Sequence, residues 1–406
     1  MPLQPRARSK ASLENDVRIL VAAVAEAHSV GIDRLALRSV GRRCDLTSGA
    51  LYSRYESVDE LIASMWTERI GQPVLDFLTE AMSAMLGLEG APPISKIAAT
   101  VSNPPKHIAV GIEALVVGRR NDVLGDEIEE DLSNWARKLG LDSATDTASR
   151  SLNVVAFASI VGAALYSFVE PRLADWTIVL TLLSESIKQT PLTNSTAAPS
   201  IANELPDQRV VPGTNEPLRD ALITATANVI GRTGYENATL SRIARRAKLT
   251  GGAVYTRYAT KDELIIDTLD TLLSDAIVGT RELTERGVRT GNLGEAVGKI
   301  FSLGVTPDRR SWRQFRLETY VAARSRKEPR AALRRVHIAG LSRYHAMLAD
   351  RSHIEDETIK LIARGGQSIP LGLSVLEAYQ PDLVELNFHP FSQTLLSILR
   401  TVTNSD

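Results

Sequence analysis

Residues 46–61, LTSGALYSRYESVDEL, return at 249–264 as LTGGAVYTRYATKDEL, with ten of the sixteen positions identical. The offset of 203 positions is half of the 406-residue chain, so one module is expected twice and the fold of either half constrains that of the other.

Both copies carry the same punctuation. An amphipathic run (Ile19, Leu20, Ala23, Val24 and Ala27; Leu222, Ile223, Ala225, Val229 and Ile230) ends at Gly31 in the first half and at Gly234 in the second. A glycine after such a run predicts a helix stop. A short helix over 37–43 and 240–246 should follow, with Thr239 as a plausible N-cap where the first copy has Ala36. Thr47 and Thr250 are the N-cap candidates of a third helix, and Ser57-x-x-Glu60 and Thr260-x-x-Glu263 open a fourth with capping-box spacing. Two short helices joined by a tight turn and fastened to longer ones make a helix-turn-helix.

The shared string L-T-x-G-A-[LV]-Y-[ST]-R-Y-x-[ST]-x-D-E-L resembles the DNA-binding signature of the tetracycline-repressor (TetR) family. The resemblance implies an all-α chain of two tandem TetR-like modules. Each would hold an N-terminal helix-turn-helix three-helix domain (1–71 and 216–275) and a helical ligand-binding and dimerisation domain (72–188 and 276–406), joined by a linker over 189–215. Gly49 and Gly252 then let the third helix lie close to the duplex, and Thr47, Ser48, Thr250 and Gly251 stand at its N-terminus, where base edges are met. Tyr52, Ser53 and Arg54, with Tyr255, Thr256 and Arg257, offer donors to the phosphates and groove floor. Thr239 and Lys261 complete the expected DNA-binding set. The first copy replaces them with Ala36 and Val58, so the first head is expected to bind more weakly.

Charge agrees with this reading. Between 238 and 261 stand Arg242, Arg245, Arg246, Lys248, Arg257 and Lys261 without an acid, in a chain of net charge -1. Arg42, Arg43, Arg245 and Arg246 are as readily explained as solvating a helix face. Tyr55, Tyr258, Leu51 and Val254 are expected in the core. The single cysteine, Cys44, cannot form an internal disulfide and suits a reducing cytoplasm; it reads as a small buried thiol, since the other copy has Ala247 there. The N-terminus lacks the apolar stretch of a secretory signal; Arg6, Arg8 and Lys10 suggest a minor-groove arm, or more commonly a solvated tail. The six histidines show no tight metal spacing, His345 and His353 reading as surface, and no cofactor is expected.

Leu152 to Val169 is long and apolar enough to raise a membrane span, yet its counterpart over 357–379 carries Lys360, Arg364 and Glu377, so both are expected as buried helices and no membrane as a partner. Ala156, Ser159, Ala163 and Ser167, with Gly365, Gly366 and Gly372, would let the two approach closely. The family resemblance adds that the last two helices of each half (176–187 and 388–402 being the second members) form a four-helix bundle, which a linker spanning roughly 30 Å permits within one chain. The expected function is a ligand-released repressor binding an imperfect inverted repeat of double-stranded DNA as a monomeric pseudo-dimer; the alternatives are a homodimer, or a sensor or scaffold whose heads no longer bind DNA. The expected effector is small and apolar, with Trp135, Phe157, Tyr166, Trp312, Phe315 and Tyr344 as candidate lining, although each is more often ordinary core. No nucleophile–base pair or metal cluster suggests an enzyme, and Glu113 and Glu318 read as structural partners of nearby arginines.

Overall fold

The computed structural model describes residues 10–192, 209–348 and 356–403, among which are nineteen α-helices and no strand. The first half runs α1 Lys10–Val30, α2 Leu37–Arg43, α3 Ser48–Tyr52, α4 Val58–Met65, α5 Gly71–Leu86, α6 Ile94–Ser102, α7 Lys106–Val117, α8 Asp122–Lys138, α9 Thr147–Ser167 and α10 Leu173–Gln189. The second runs α11 Pro217–Asn237, α12 Leu240–Arg246, α13 Gly251–Tyr255, α14 Lys261–Thr290, α15 Leu293–Leu303, α16 Arg310–Ser325, α17 Lys327–Leu348, α18 Asp356–Leu376 and α19 His389–Thr403.

The successions differ by one break. Where α14 is continuous, and so crosses the expected boundary at 275, the first half interposes a π-helical turn over Trp66–Ile70 between α4 and α5. Pro73 accounts for it: the ring has no N–H for the ladder where the second half has Ala276. Trp66 fills the turn, fully buried, and donates its indole N–H to Asp131 at 2.8 Å. Residues 193–208 of the expected linker, Arg6 and Arg8 of the expected arm, and His353 lie outside the described residues, as do the side chains of Tyr344 and His345.

One continuous apolar core includes residues of both halves. Its centre is the antiparallel contact of α9 with α18, where backbones meet: a Cβ added to Gly162 would lie 1.8 Å from the Ser368 carbonyl oxygen, and one on Gly372 2.0 Å from that of Ala158. The expected ridge was Ala156–Ser159–Ala163–Ser167; these are buried, but the closest approach runs through Gly162, which that pattern did not include. Among the described residues α9 is the helix long and apolar enough to cross a membrane, and it is buried in this seam. α10 packs on α9, α18 and α19, whereas α19 leans mainly on α15, so the four terminal helices do not make an evenly interlocked bundle. Arg150 pairs with Asp382 at 2.8 Å, and Arg364 with Asp175, across the same seam.

A second seam lies nearer the heads. Glu113 and Arg119 stand six positions apart, as do Glu318 and Arg324, and each carboxylate takes the other half's arginine. Glu113 pairs with Arg324; Glu318 pairs with Arg119 at 3.3 Å and Arg120 at 2.9 Å. That crossed pattern is what a two-fold axis generates. The network reaches the first head: the Ile32 N–H donates to Glu113 at 2.7 Å, Arg324 donates to the Ala27 carbonyl at 2.7 Å, and Arg120 pairs with Asp33 at 2.7 Å. α11 of the second head lies along α16, with Gly231 against Gln314. Both heads therefore rest on α16.

Candidate nucleic-acid interface

The local signals place the two helix-turn-helix segments alike. Gly31 and Gly234 take φ of +90° and +79°, the left-handed region that ends α1 and kinks α11. The Thr47 and Thr250 hydroxyls accept from the Ala50 and Ala253 N–H groups at 3.2 and 3.3 Å, capping α3 and α13. Thr239 caps α12 by accepting from Arg242 at 3.2 Å, and Ala36 leaves α2 without a side-chain cap. At the fourth helix Ser57 and Thr260 accept from Glu60 and Glu263, whose carboxylates reach back to the N–H of Glu56 and Ala259. That is one residue earlier than the usual capping box.

These contacts fix a common exposed face. Thr47, Ser48 and Gly49 at the start of α3, and Thr250, Gly251 and Gly252 at the start of α13, are exposed, and nothing lies within 4 Å of a Cβ added to Gly251. Tyr52 and Tyr255 are each 62% exposed, with Ser53 and Thr256 beside them. Leu51, Val254, Tyr55 and Tyr258 are buried behind them, and burial pushes the two tyrosine hydroxyls up to about 12. Cys44 is buried in the same core, its thiol facing the Gly41 carbonyl.

Three predicted contacts are already engaged within the protein. Arg54 is half-buried and pairs with Asp16 at 2.7 Å; Arg257 pairs with Glu216 at 2.6 Å on the surface, an exchangeable contact. Lys261 differs from the sequence expectation. Its ammonium turns inward, donates to the Tyr235 and Glu236 carbonyls at 2.6 and 3.3 Å and sits 4.9 Å from the Tyr235 ring centre. Burial lowers its pKa, against the pull of Glu236 and Asp262. The kinked end of α11 exposes carbonyls that need a donor, and in this structure Lys261 supplies it.

A feature the sequence reading passed over is the turn between the second and third helices. Asp45 and Lys248 occupy it with φ of 55° and 59°, so equivalent exposed positions carry opposite charge. Over 35–58 the first head has Arg38, Arg42, Arg43 and Arg54 against Asp45 and Glu56, a balance of +2, where 238–261 carries +6. Exposed Arg242, Arg245, Arg246 and Lys248 thus give the second head the stronger field.

Residues 222–268, spanning α11 to the first turns of α14, match the family described as bacterial regulatory proteins, tetR family. The chain thus carries, in this segment, the DNA-binding domain of TetR-family regulators. It is a DNA-binding transcriptional regulator, and the matched segment is the head with the basic face. The first head lies outside the match; its likeness to TetR proteins rests on the ten identities and the equivalent caps. Comparison with curated proteins returned no match.

The charge difference is measurable. Lys248→Asp should weaken DNA binding at every sequence and reduce the slope of log affinity against log salt by roughly one, because fewer counterions are released. Asp45→Lys should steepen it by a similar amount. Isotherms at four salt concentrations check both, and unchanged slopes would remove this turn from the interface.

Proposed function

We propose that this TetR-family chain is a ligand-released repressor in which two tandem TetR-like modules, residues 1–188 and 216–406, act as an intrachain pseudo-dimer. The crossed pairing of Glu113 with Arg324 and of Glu318 with Arg119 carries the reading, since reciprocal contacts of this kind join copies related by a two-fold axis. Two heads so related suit successive major grooves about 34 Å apart on one DNA face. Thr47, Ser48, Gly49, Thr250, Gly251 and Gly252 then face base edges, and Tyr52, Ser53, Tyr255, Thr256 and Arg257 face phosphates. Arg54 acts through its pairing with Asp16, Thr239 as a cap, and Lys261 as a support for the head.

An effector bound in a helical domain releases DNA only if it favours the arrangement with misplaced heads, since equal affinity for both states shifts nothing. Ser48 against Gly251, Leu51 against Val254 and Ser53 against Thr256 make the half-sites related but unequal. DNA selection on the purified full chain should therefore return an imperfect inverted repeat, bound by a monomer of 44.2 kDa in sedimentation at micromolar concentration. A direct repeat, a lone half-site or a stable dimer would count against the pseudo-dimer.

A further inference from the structure

The second half holds a half-open cavity of about 480 Å³ between α14, α15, α16, α17 and α18, within the range that holds small-molecule ligands. Leu273, Ala276, Leu303, Trp312 and Pro370 give it apolar walls. Of the aromatic residues singled out by sequence, Trp312 lines it; Phe315 lies fully buried behind, Trp135 and Phe157 pack on each other at 5.8 Å in the first half, and Tyr166 stacks on His337 in a separate cleft between the halves.

The sequence led to the expectation of a small apolar effector, and the cavity's lining adds charge to its apolar walls. Among the described lining residues are four arginines, Arg281, Arg309, Arg313 and Arg316, and one carboxylate, Glu285, already paired with Arg281 at 2.6 Å. Arg313 is only 4% exposed; its Nη2 stands 3.0 Å from Glu377 and its Nη1 donates to the Thr306 carbonyl, but its Nε has no hydrogen-bond partner. Arg316 donates to the Gln367 carbonyl at 3.3 Å and also engages Tyr320, over whose ring it lies at 5.8 Å, and its Nε is unpartnered. Arg309 is 7% exposed, and burial, with Arg313 beside it, lowers it to about 10. Buried guanidinium N–H groups without acceptors are costly, and a carboxylate is the acceptor whose paired oxygens match a guanidinium's N–H groups.

We infer that this cavity binds an organic anion with an apolar body, a carboxylate on a hydrocarbon frame, whose head group meets Arg313 and Arg316 and whose body lies against Leu273, Leu303 and Trp312. The inference rests on the ligand-released reading above and gives that ligand its class. Its route to DNA is short. Trp312, Arg313 and Arg316 lie on α16, the helix on which α11 rests and whose Glu318 and Arg324 hold the first head, while α14 runs from the second head into the cavity wall. An anion drawn onto Arg313 and Arg316 acts on the helix that both heads share.

Decanoate, decanol and methyl decanoate, titrated into the full-length protein by calorimetry with Trp fluorescence in parallel, separate charge from hydrophobicity; decyl phosphate separates a carboxylate from a phosphate head. Decanoate should bind at least about tenfold tighter than decanol or the ester. Arg316→Gln should lower decanoate affinity by about tenfold and leave decanol unchanged. Gly340→Leu, whose Cβ meets only the Gln367 side-chain amide at 3.0 Å, should fill the cavity and abolish binding of all the probes. Decanol binding as tightly as decanoate, or decanoate indifferent to both variants, would overturn the anion site; decyl phosphate well ahead of decanoate would overturn the carboxylate. Decanoate that binds as expected without weakening selected operator DNA upholds the site and removes ligand release.

Discussion

Glu318→Ala should lower the unfolding free energy by about 3 to 5 kcal/mol, the cost of leaving a buried charge without its partner. The side chain is 1% exposed and is shared by Arg119 and Arg120, themselves 6% and 9% exposed, so its loss takes a carboxylate from two buried guanidiniums at once. Asp33 remains for Arg120, and for Arg119 there is no such relief among the carboxylate pairs described. Glu113→Ala should cost a similar amount, because Arg324 loses its carboxylate and the Ile32 N–H its acceptor. Removing Glu185, whose side chain pairs with exposed Lys188 at the surface, should cost less than about 1 kcal/mol. Urea denaturation of the three variants gives the comparison. A double change, Glu318→Leu with Arg119→Leu, should recover part of the loss if desolvated charge is the cause. Should Glu318→Ala fall within about 1 kcal/mol of the parent, the crossed pairs are not what joins the halves.

The parts of this fold that lie in short strings of sequence were legible. Glycines at 31 and 234, the hydroxyls at 47, 57, 250 and 260, and the buried Leu51 and Val254 answer to local rules of helix ends and periodicity, which need no knowledge of the rest of the chain. What depends on which surfaces meet was not. Glu113 and Glu318 could be read as ion-pair partners, but that each would choose the other half's arginine follows from tertiary packing. Lys261 looks like a phosphate ligand in the motif, and it becomes an internal donor because α11 kinks at Gly234 and leaves carbonyls beside it. The cavity was hidden for a related reason: Trp312 and Trp135 look alike in sequence, while the arginines that give the cavity its character are spread along one helix as ordinary polar residues.

Gly162→Ala should be among the most damaging single-methyl changes in this protein. The added carbon would sit 1.8 Å from the Ser368 carbonyl oxygen and 2.5 Å from its carbon, well inside contact distance. Those neighbours are backbone atoms in the middle of α18, so no side chain can turn away, and relief requires α9 and α18 to separate. Overpacking a core commonly costs about 1 to 3 kcal/mol, and here, where the whole helix must move, the loss is expected at or above the top of that range. Gly372→Ala meets Ala158 in the same way, at 2.0 Å, and should behave alike. Gly251→Ala, exposed on α13 with open space around the new methyl, is the control: helix propensity favours alanine, and its stability should be equal or slightly higher. Melting temperatures of the three variants decide the matter, and sedimentation adds a second reading. If α9 and α18 close the seam within one chain, the opened variants expose apolar helices and should associate, whereas Gly251→Ala should sediment as the parent does. A Gly162→Ala protein as stable as the parent would mean that α9 and α18 do not meet backbone to backbone.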